Sequence, residues 1–377
     1  MARKHIPDTL RLQLWVKSAG RCEFKGCNSP VWYNGLTLNE ANFSEVCHII
    51  GSSEDGPRGG KGSKELETDF SNLMLLCKRC HKEVDNHTEK YTVDLLRKWK
   101  KDHENRIEMQ TRHPEDIHKS HILLCTINIG DRVPPINIEA VRSAMFPKYP
   151  VDLKGIRIEE TDFKSSSSED QWQAFAESKI KRKLERAFEL GVDETAVKHL
   201  SIFSIAPMPL LFYLGKCVGD TTPCDVYQSH RNLDDTSKTW SWKDSSETDE
   251  YFNSQCILKA DGSRAILKLA ISDQLNEDKY HSLLDEQTSV YEITVSEPST
   301  HFLNSKKQLE VFSFEYRKML NLIQATHGRN CEILILPAVP VAIAIESGRA
   351  ILPTKDPSIF VCQYYTDHGF KRVLQIN

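Results

Sequence analysis

Ser71–Asp85 reads S-N-L-M-L-L-C-K-R-C-H-K-E-V-D, and Glu45–Ile50, ahead of it, reads E-V-C-H-I-I. The apolar stretch Val46–Ile50 predicts a strand that ends on His48, and Leu73–Leu76 predicts a short buried strand after Asn72. That second strand runs into Cys77-x2-Cys80, and a polar helix expected from about Lys78 carries His81. A second cysteine pair lies upstream as Cys22-x4-Cys27. Both pairs sit among polar residues (RCEFKGCN and CKRCHKE), which suit a metal knuckle better than a core. Four thiolates close a tetrahedral shell around Zn2+ and leave no place for water, so Cys22, Cys27, Cys77 and Cys80 predict a structural zinc site.

Interleaved with the cysteines is the order His48…Asn72…His81. Phosphodiester hydrolysis needs an activated water, neutralised phosphate charge and help for the leaving oxygen. His48, at a strand end, is suited to be the general base, because a neutral imidazole takes a proton near pH 7. Asn72 is expected to fix the loop and tautomer of His48. His81, directly after the knuckle, is expected to hold a catalytic divalent cation, with Asn72 as a further ligand. The zinc would then brace the residue that holds the second metal.

Outward from these stretches, a helix is expected from Pro7 to about Ser18, with Leu10, Leu14, Trp15 and Val16 as its apolar stripe and Gly20 as its stop. Gly51–Thr68 is polar and Gly-rich and reads as a mobile loop, and a further helix follows Thr92. The expected domains are 1–112, a linker at 113–120 around Pro114, and 121–377. Residues 1–112 carry 19 Lys+Arg against 16 Asp+Glu, a balance of +3, whereas the remainder carries 30 against 37, a balance of −7. Phosphate contacts are therefore expected in the first part. The chain has 11 cysteines in scattered spacing, which argues against a disulfide framework and for a reducing compartment. With no run of about 18 uncharged apolar residues and no apolar leader, the expectation is a cytoplasmic protein with no membrane partner.

From Ile122 the pattern changes. Ile122–Ile127, Leu200–Ile205, Ala265–Ile271, Val290–Val295, Ile333–Leu336 and Ile359–Cys362 read as strands. Trp172, Phe175, Ile180, Leu184 and Phe188 fit one helix face, and Leu309, Phe312, Tyr316, Met319 and Ile323 fit another. Alternating strands and helices predict parallel α/β architecture. Ile202–Lys216 and Ile333–Arg349 share one plan of apolar strand, Pro-containing turn, apolar helix and Gly-Lys or Gly-Arg, which suggests two related lobes, although any βα unit has some of these features. Helix starts at Pro207 and Pro340 offer anion sites, and His230, Arg231, Trp240, Trp242 and Arg349 offer cations and stacking faces, with packing or surface roles as the bland reading of each. No nucleophile elbow or P-loop accompanies them.

Glu45–Ile50 with Ser71–Asp85 resembles the HNH, or ββα-metal, endonucleases, in the branch with a four-cysteine zinc site. The resemblance covers roughly 1–110 and implies His48 as base, Asn72 as the middle asparagine and His81 as metal ligand. One departure stands out: many of these enzymes have Asp or His before the base, and here that residue is Cys47. A thiolate suits hard Mg2+ poorly, so either His81, Asn72 and substrate oxygens hold the cation, or a softer ion is used. Glu45 and Asp85 are nearby acids expected to be structural.

Phe203–Gly215, Val226–Asn232 with Trp240–Trp242, and Leu336–Pro353 are similar to the SAVED domain, a cyclic-oligonucleotide sensor of two fused CARF-like (Rossmann-like) α/β lobes. The combined resemblance is to the HNH–SAVED effector nucleases of CBASS, an anti-phage system. It implies double-stranded DNA as substrate, Zn2+ and Mg2+ or another divalent ion as cofactors, a cyclic di- or trinucleotide as activator, and a homo-oligomer, a dimer or higher assembly, formed on ligand binding. Two other readings are a restriction-type HNH nuclease whose C-terminal domain reads DNA, and a non-catalytic zinc-knuckle DNA-binding regulator. The acidic balance of the second part weighs against the first, and the intact His48, Asn72 and His81 weigh against the other.

Overall fold

Pro7, with its fixed φ and missing N–H, precedes α1 (Asp8–Lys17), as a residue suited to a helix start should. Leu14 is fully buried and Leu10 and Trp15 pack beside it. Val16, expected on the same stripe, is 67% exposed, because two residues turn a helix by roughly 200°. The computed structural model describes residues 5–111, 119–130, 132, 135–152, 154–164, 166–189, 198–230, 239–242 and 252–377. The chain divides into two units, Met1–His118 and Lys119–Asn377.

In the first unit α1 is followed by β1 (Ser44–His48), β2 (Leu73–Cys77), α2 (Lys78–Asn86) and α3 (Val93–Thr111). β1 and β2 pair antiparallel, with His48 opposite Leu73 and Ser44 opposite Cys77. β2 touches both α1 and α2, so Leu73, Met74, Leu75 and Leu76 are all fully buried and read as a run rather than an alternation. Phe24, Tyr91 and Trp99 meet edge to face at 5.0–5.9 Å and join the segment between Cys22 and Cys27 to α3.

The segment 51–68, expected to be mobile, is a packed series of turns in which Ser63 and Glu67 are buried. The cause is Arg58. Its buried guanidinium donates to the carbonyls of Ile49 (2.7 Å) and Val84 (2.7 Å) and to the Asp85 carboxylate (2.8 Å), tying the loop to β1 and α2.

The second unit begins with β3 (Lys119–Ile127), α4 (Ile138–Met145), β4 (Tyr149–Pro150), β5 (Ile156–Glu160), α5 (Glu169–Phe175), α6 (Arg182–Glu189), β6 (Leu200–Ile205), α7 (Met208–Val218) and β7 (Cys224–Val226). A π-helical turn, Ala176–Lys181, joins α5 to α6 and absorbs the five-residue step between Phe175 and Ile180. β3 pairs in parallel with β4 and β5 on one side and β6 on the other, and β7 lies beyond β6.

There follow β8 (Asn253–Leu258), β9 (Arg264–Ala270), β10 (Thr288–Thr294), α8 (Lys306–His327), β11 (Glu332–Ala338), α9 (Val341–Arg349), β12 (Ser358–Tyr365) and β13 (Gly369–Gln375). Their sheet runs β13-β12-β11-β9-β10-β8. Its interior is parallel, as expected, but both edges are antiparallel. Of the strands that the apolar runs did not predict, β8 is exposed along its length and β5 and β7 are short.

The two lobes share one plan. β5-β3-β6-β7 with α5–α6 and α7 corresponds to β10-β9-β11-β12 with α8 and α9. Pro207 and Pro340 precede α7 and α9, and Gly215 and Gly348 lie at matching places within them. The helices cross there reciprocally: a Cβ on Gly215 would overlap the Ile345 carbonyl, and one on Gly348 would overlap the Phe212 carbonyl. The largest apolar cluster runs through this crossing and joins the lobes.

Candidate active site and ligand pocket

The ββα turn sets the N-terminal site. His48 closes β1, buried at 6% exposure, and its Nε2 lies 3.0 Å from the Glu67 carbonyl oxygen. A carbonyl only accepts, so in the neutral ring Nε2 carries the proton and Nδ1 the lone pair. Asn72 is fully buried at the entrance to β2. Its Oδ1 accepts from the Ile50 N–H (2.8 Å), and its Nδ2 donates to the Ile50 (2.9 Å) and Leu66 (3.1 Å) carbonyls. Asn72 therefore staples the chain after His48 to the chain before Glu67. The His48 tautomer is set by the Glu67 carbonyl, and the Asn72 amide, expected to serve as a metal ligand, is engaged by these three backbone groups.

His81, on the first turns of α2, lies between two carboxylates. Its Nδ1 is 2.6 Å from Glu45 and its Nε2 is 3.1 Å from Asp85, one helical turn on. Asp85 foremost, then Cys47, holds the His81 pKa up at about 11 without a metal. Burial pushes the Asp85 carboxyl up, but His81 and Arg58 outweigh it and hold it below its usual range. The Cys47 sulfur, a His81 nitrogen and an Asp85 oxygen all lie within 4.8 Å of one another. Glu45 and Asp85, expected to be structural, thus belong to the surroundings of His81. The i, i+4 spacing of His81 and Asp85 was the available signal for Asp85, whereas nothing in the sequence pattern singled out Arg58. An open groove of about 670 Å³ lined by His5, Arg11, Trp15, Asn42, Glu45 and His81, among others, leads to these groups.

The Cys22, Cys27, Cys77 and Cys80 sulfurs form a second cluster, again within 4.8 Å of one another. The Cys77 N–H donates to the Cys22 sulfur (3.3 Å), as in a metal knuckle whose backbone supports its thiolates. Burial pushes the Cys22 thiol up and holds Cys80 at about 12. At Cys27 burial also pushes up, but hydrogen bonding with Ser29 outweighs it and the thiol falls to about 7. Four converging sulfurs, two on buried residues and two on half-buried ones, fit a single thiophilic ion.

In the second unit the predicted ligand residues separate. Pro340 lines a pocket of about 320 Å³, and Pro207 lies between Ile205 and Met208, which also line it. This pocket sits beyond the C-terminal ends of β6, β9 and β11, where α7 and α9 start, the usual place for ligands in an open α/β sheet. Gln228, Asp273 and His301 line it as well; Asp273 and Gln228 each follow a strand end, a signal the sequence reading passed over. Gln228 accepts from the Ala342 N–H (3.1 Å) at the start of α9.

The other assignments differ. Trp240 is buried at 1% exposure and stands edge-on to Phe203 at 5.3 Å, so it is a core residue. Arg349 pairs with Glu346 (2.8 Å) and donates to the Gly219 and Thr222 carbonyls, anchoring the end of α9. His230 and Trp242 face each other edge-on at 6.4 Å, and Trp242 lines a separate cavity of about 460 Å³ with Lys148, Asp225 and Lys306. Arg231 lies outside the described residues.

A strand-end histidine beside a histidine-led cation cluster, ahead of a two-lobed α/β unit with a pocket at its crease, defines a nuclease domain joined to a ligand-sensing domain. Residues 25–87 match the HNH endonuclease model, and 180–376 match that of the SMODS-associated and fused to various effectors sensor domain (SAVED). The chain belongs to the SAVED family and carries an HNH endonuclease domain ahead of its sensor.

No curated protein matches the chain. Among solved structures it is similar to the Acinetobacter baumannii Cap4 SAVED/CARF-domain containing receptor with the cyclic trinucleotide 3'3'3'-cAAA, at 12% identity and a TM-score of 0.47, over 85% of this chain and 67% of that one. The same receptor with 2'3'3'-cAAA gives 13% and 0.44 over 85% and 67%, and the Moraxella osloensis Cap4 receptor 12% and 0.40 over 85% and 66%. The chain spans about two thirds of the length of these structures. Among the described residues no helix is long and apolar enough to cross a membrane.

Proposed function

We propose that the chain is a CBASS effector: a metal-dependent endonuclease that degrades double-stranded DNA without sequence preference once a cyclic oligonucleotide occupies its SAVED domain. The observation that carries the nuclease half is one juxtaposition. His48 ends β1 with its lone pair on Nδ1, and the residue before it, Cys47, has its sulfur beside His81. Base and candidate cation ligand are thus consecutive residues of β1, as the base and His81 are interleaved with the cysteines in the sequence.

His48 Nδ1 takes the proton of the attacking water. Glu67 holds the ring through Nε2, and Asn72 holds the two chain segments that flank it. His81, with Asp85 and Cys47 beside it, would hold a divalent cation, which supplies charge neutralisation at the phosphate and the leaving oxygen. Zn2+ would occupy Cys22, Cys27, Cys77 and Cys80 as a structural ion. Arg11 and His5 on the groove would meet the DNA backbone.

The activator, a cyclic di- or trinucleotide, would occupy the crease where α7 and α9 begin, with Gln228 and the Pro340 turn at its floor. Shifting an equilibrium from about 1% to 99% active takes about 5.5 kcal/mol of differential binding. Phosphate contacts, base stacking and burial between copies in a homo-oligomer would together supply it.

The test is plasmid degradation by the full chain with a divalent cation against a panel of cyclic di- and trinucleotides. One member of the panel should switch on complete degradation, and His48→Ala should abolish it while leaving nucleotide binding intact. Equal degradation with no nucleotide would overturn the gating, and cutting by His48→Ala at the wild-type rate would overturn the nuclease assignment.

A further inference from the structure

Cys47, His81 and Asp85 offer sulfur, nitrogen and oxygen, all within 4.8 Å of one another. Mg2+ is small and hard, keeps its waters and takes oxygen ligands in octahedral geometry. Imidazole and thiolate favour borderline ions later in the first transition row. The donor set therefore does not fit the ion expected for such a nuclease.

Three details sharpen the mismatch. Glu45, 2.6 Å from Nδ1 of His81, is placed to accept its N–H, which leaves Nε2 on the Asp85 side to meet a metal, the carboxylate–histidine–metal arrangement. Arg58 engages Asp85 Oδ1 at 2.8 Å, so Oδ2 is the oxygen left to His81 and an ion, and Asp85 is steered towards single-oxygen ligation. Cys47 is fully buried, whereas the His81 and Asp85 side chains are 20% and 32% exposed. An ion here would have the sulfur at its back and open positions towards the groove, the pattern of a three-ligand catalytic site.

We infer that this site takes a borderline divalent ion of the Co2+–Zn2+ group, with Cys47 as a thiolate ligand, and that Mg2+ serves it poorly. The inference rests on the nuclease reading for its place in the mechanism but concerns which ion binds.

Cobalt makes it measurable without catalysis. Full-length protein holding one Zn2+ in its four-cysteine cluster is titrated with Co2+, with zinc content followed throughout. The expected result is a thiolate-to-cobalt charge-transfer band that saturates at one added Co2+ while the zinc stays bound. Cys47→Ala and His81→Ala should lose the band, and Co2+ affinity should fall at least about tenfold, no less than the loss of a supporting residue costs. Cys47→Asp should also lose the band but bind Mg2+ better than the wild type and shift metal-dependent DNA cleavage towards Mg2+. Unchanged zinc content and circular dichroism show that each variant is folded.

Cobalt binding with no charge-transfer band, or a band that survives Cys47→Ala, overturns the inference. If Cys47→Ala keeps full Co2+ affinity while His48→Ala abolishes cutting, the ion assignment fails and the nuclease reading stands. If the band behaves as expected but His48→Ala cuts like the wild type, the thiolate site stands and the nuclease reading fails.

Discussion

The two units of this chain are held together by different means. In Met1–His118 the apolar cluster is modest, and a four-cysteine cluster, a buried arginine and a fully bonded asparagine hold the loops around it. In Lys119–Asn377 two sheets and the crossing of α7 and α9 form one extended apolar cluster, and polar side chains mostly trim its edges. A small unit with long loops buries too little surface to dispense with such staples, and a larger one does not need them. Polar groups in the first unit are therefore structural and chemical at once, whereas in the second the two roles lie in different residues.

The sharpest break between the units should come from metal removal. A structural Zn2+ contributes about 10–16 kcal/mol of apparent binding free energy that is also folding free energy. Chelation, or Cys77→Ser, should unfold the first unit and leave the second folded. Calorimetry should then show one transition lost and one unchanged. Loss of both, or of neither, would contradict the division of labour.

Next in size is the catalytic base. His48→Ala should reduce activated cleavage by about 10²–10⁴-fold, the usual worth of general base catalysis. Zinc content should not change. Asn72→Ala should also reduce cleavage, but through the loop, since its buried amide serves three backbone groups. Its melting temperature should therefore fall, where that of His48→Ala does not.

The helix crossing gives the matching test in the second unit. Gly348→Val places side-chain atoms against the Phe212 carbonyl and should cost about 3 kcal/mol or more. Nucleotide binding should be lost with stability, while zinc content should match that of the wild type. Gly215→Val should behave alike, since the two glycines exchange places across the crossing. A tolerated Gly348→Val with an intolerant Gly215→Val would break the equivalence of the lobes.

How much of this the sequence carried follows the same divide. The ββα turn and both cysteine pairs were legible because metal and base chemistry restrict residue type and spacing together. His81 and Asp85 sit one helical turn apart, yet Asp85 reads as a structural acid until Arg58 and Cys47 are seen beside it. Arg58 was invisible because a Gly-rich polar loop has no periodicity to show which side chain turns inward. In the second unit the interior strands were legible, since strands covered on both faces are continuous apolar runs. β8 has only exposed residues and was missed. Trp240 and Arg349 show the reverse error: an aromatic ring or a cation near a presumed ligand is more often spent on packing or on backbone carbonyls. The pocket residues Gln228 and Asp273 emerge only once the sheet order places their strand ends side by side.

The smallest expected effect lies where the lobes meet through charge rather than packing. Asp225, after the first residue of β7, takes Lys148 of its own lobe at 2.7 Å and Lys306, the first residue of α8 in the other lobe, at 2.9 Å. Burial pushes the Asp225 carboxyl up, but the two ammonium groups outweigh it and hold the pKa below the usual range. A carboxyl depressed by folding adds stability above its unfolded value of about 4, and that stability is lost as pH falls through the folded value. Lys148 and Lys306 are partly solvated, at 27% and 49% exposure, so Asp225→Asn should cost only about 1 kcal/mol at pH 7. Denaturant melts of the two proteins should stay separated by a constant gap from pH 8 to about 5 and converge in more acidic buffer. A gap that widens towards acid would mean that the aspartate is held protonated, and that the two lysines belong to the cavity they line rather than to the joint between the lobes.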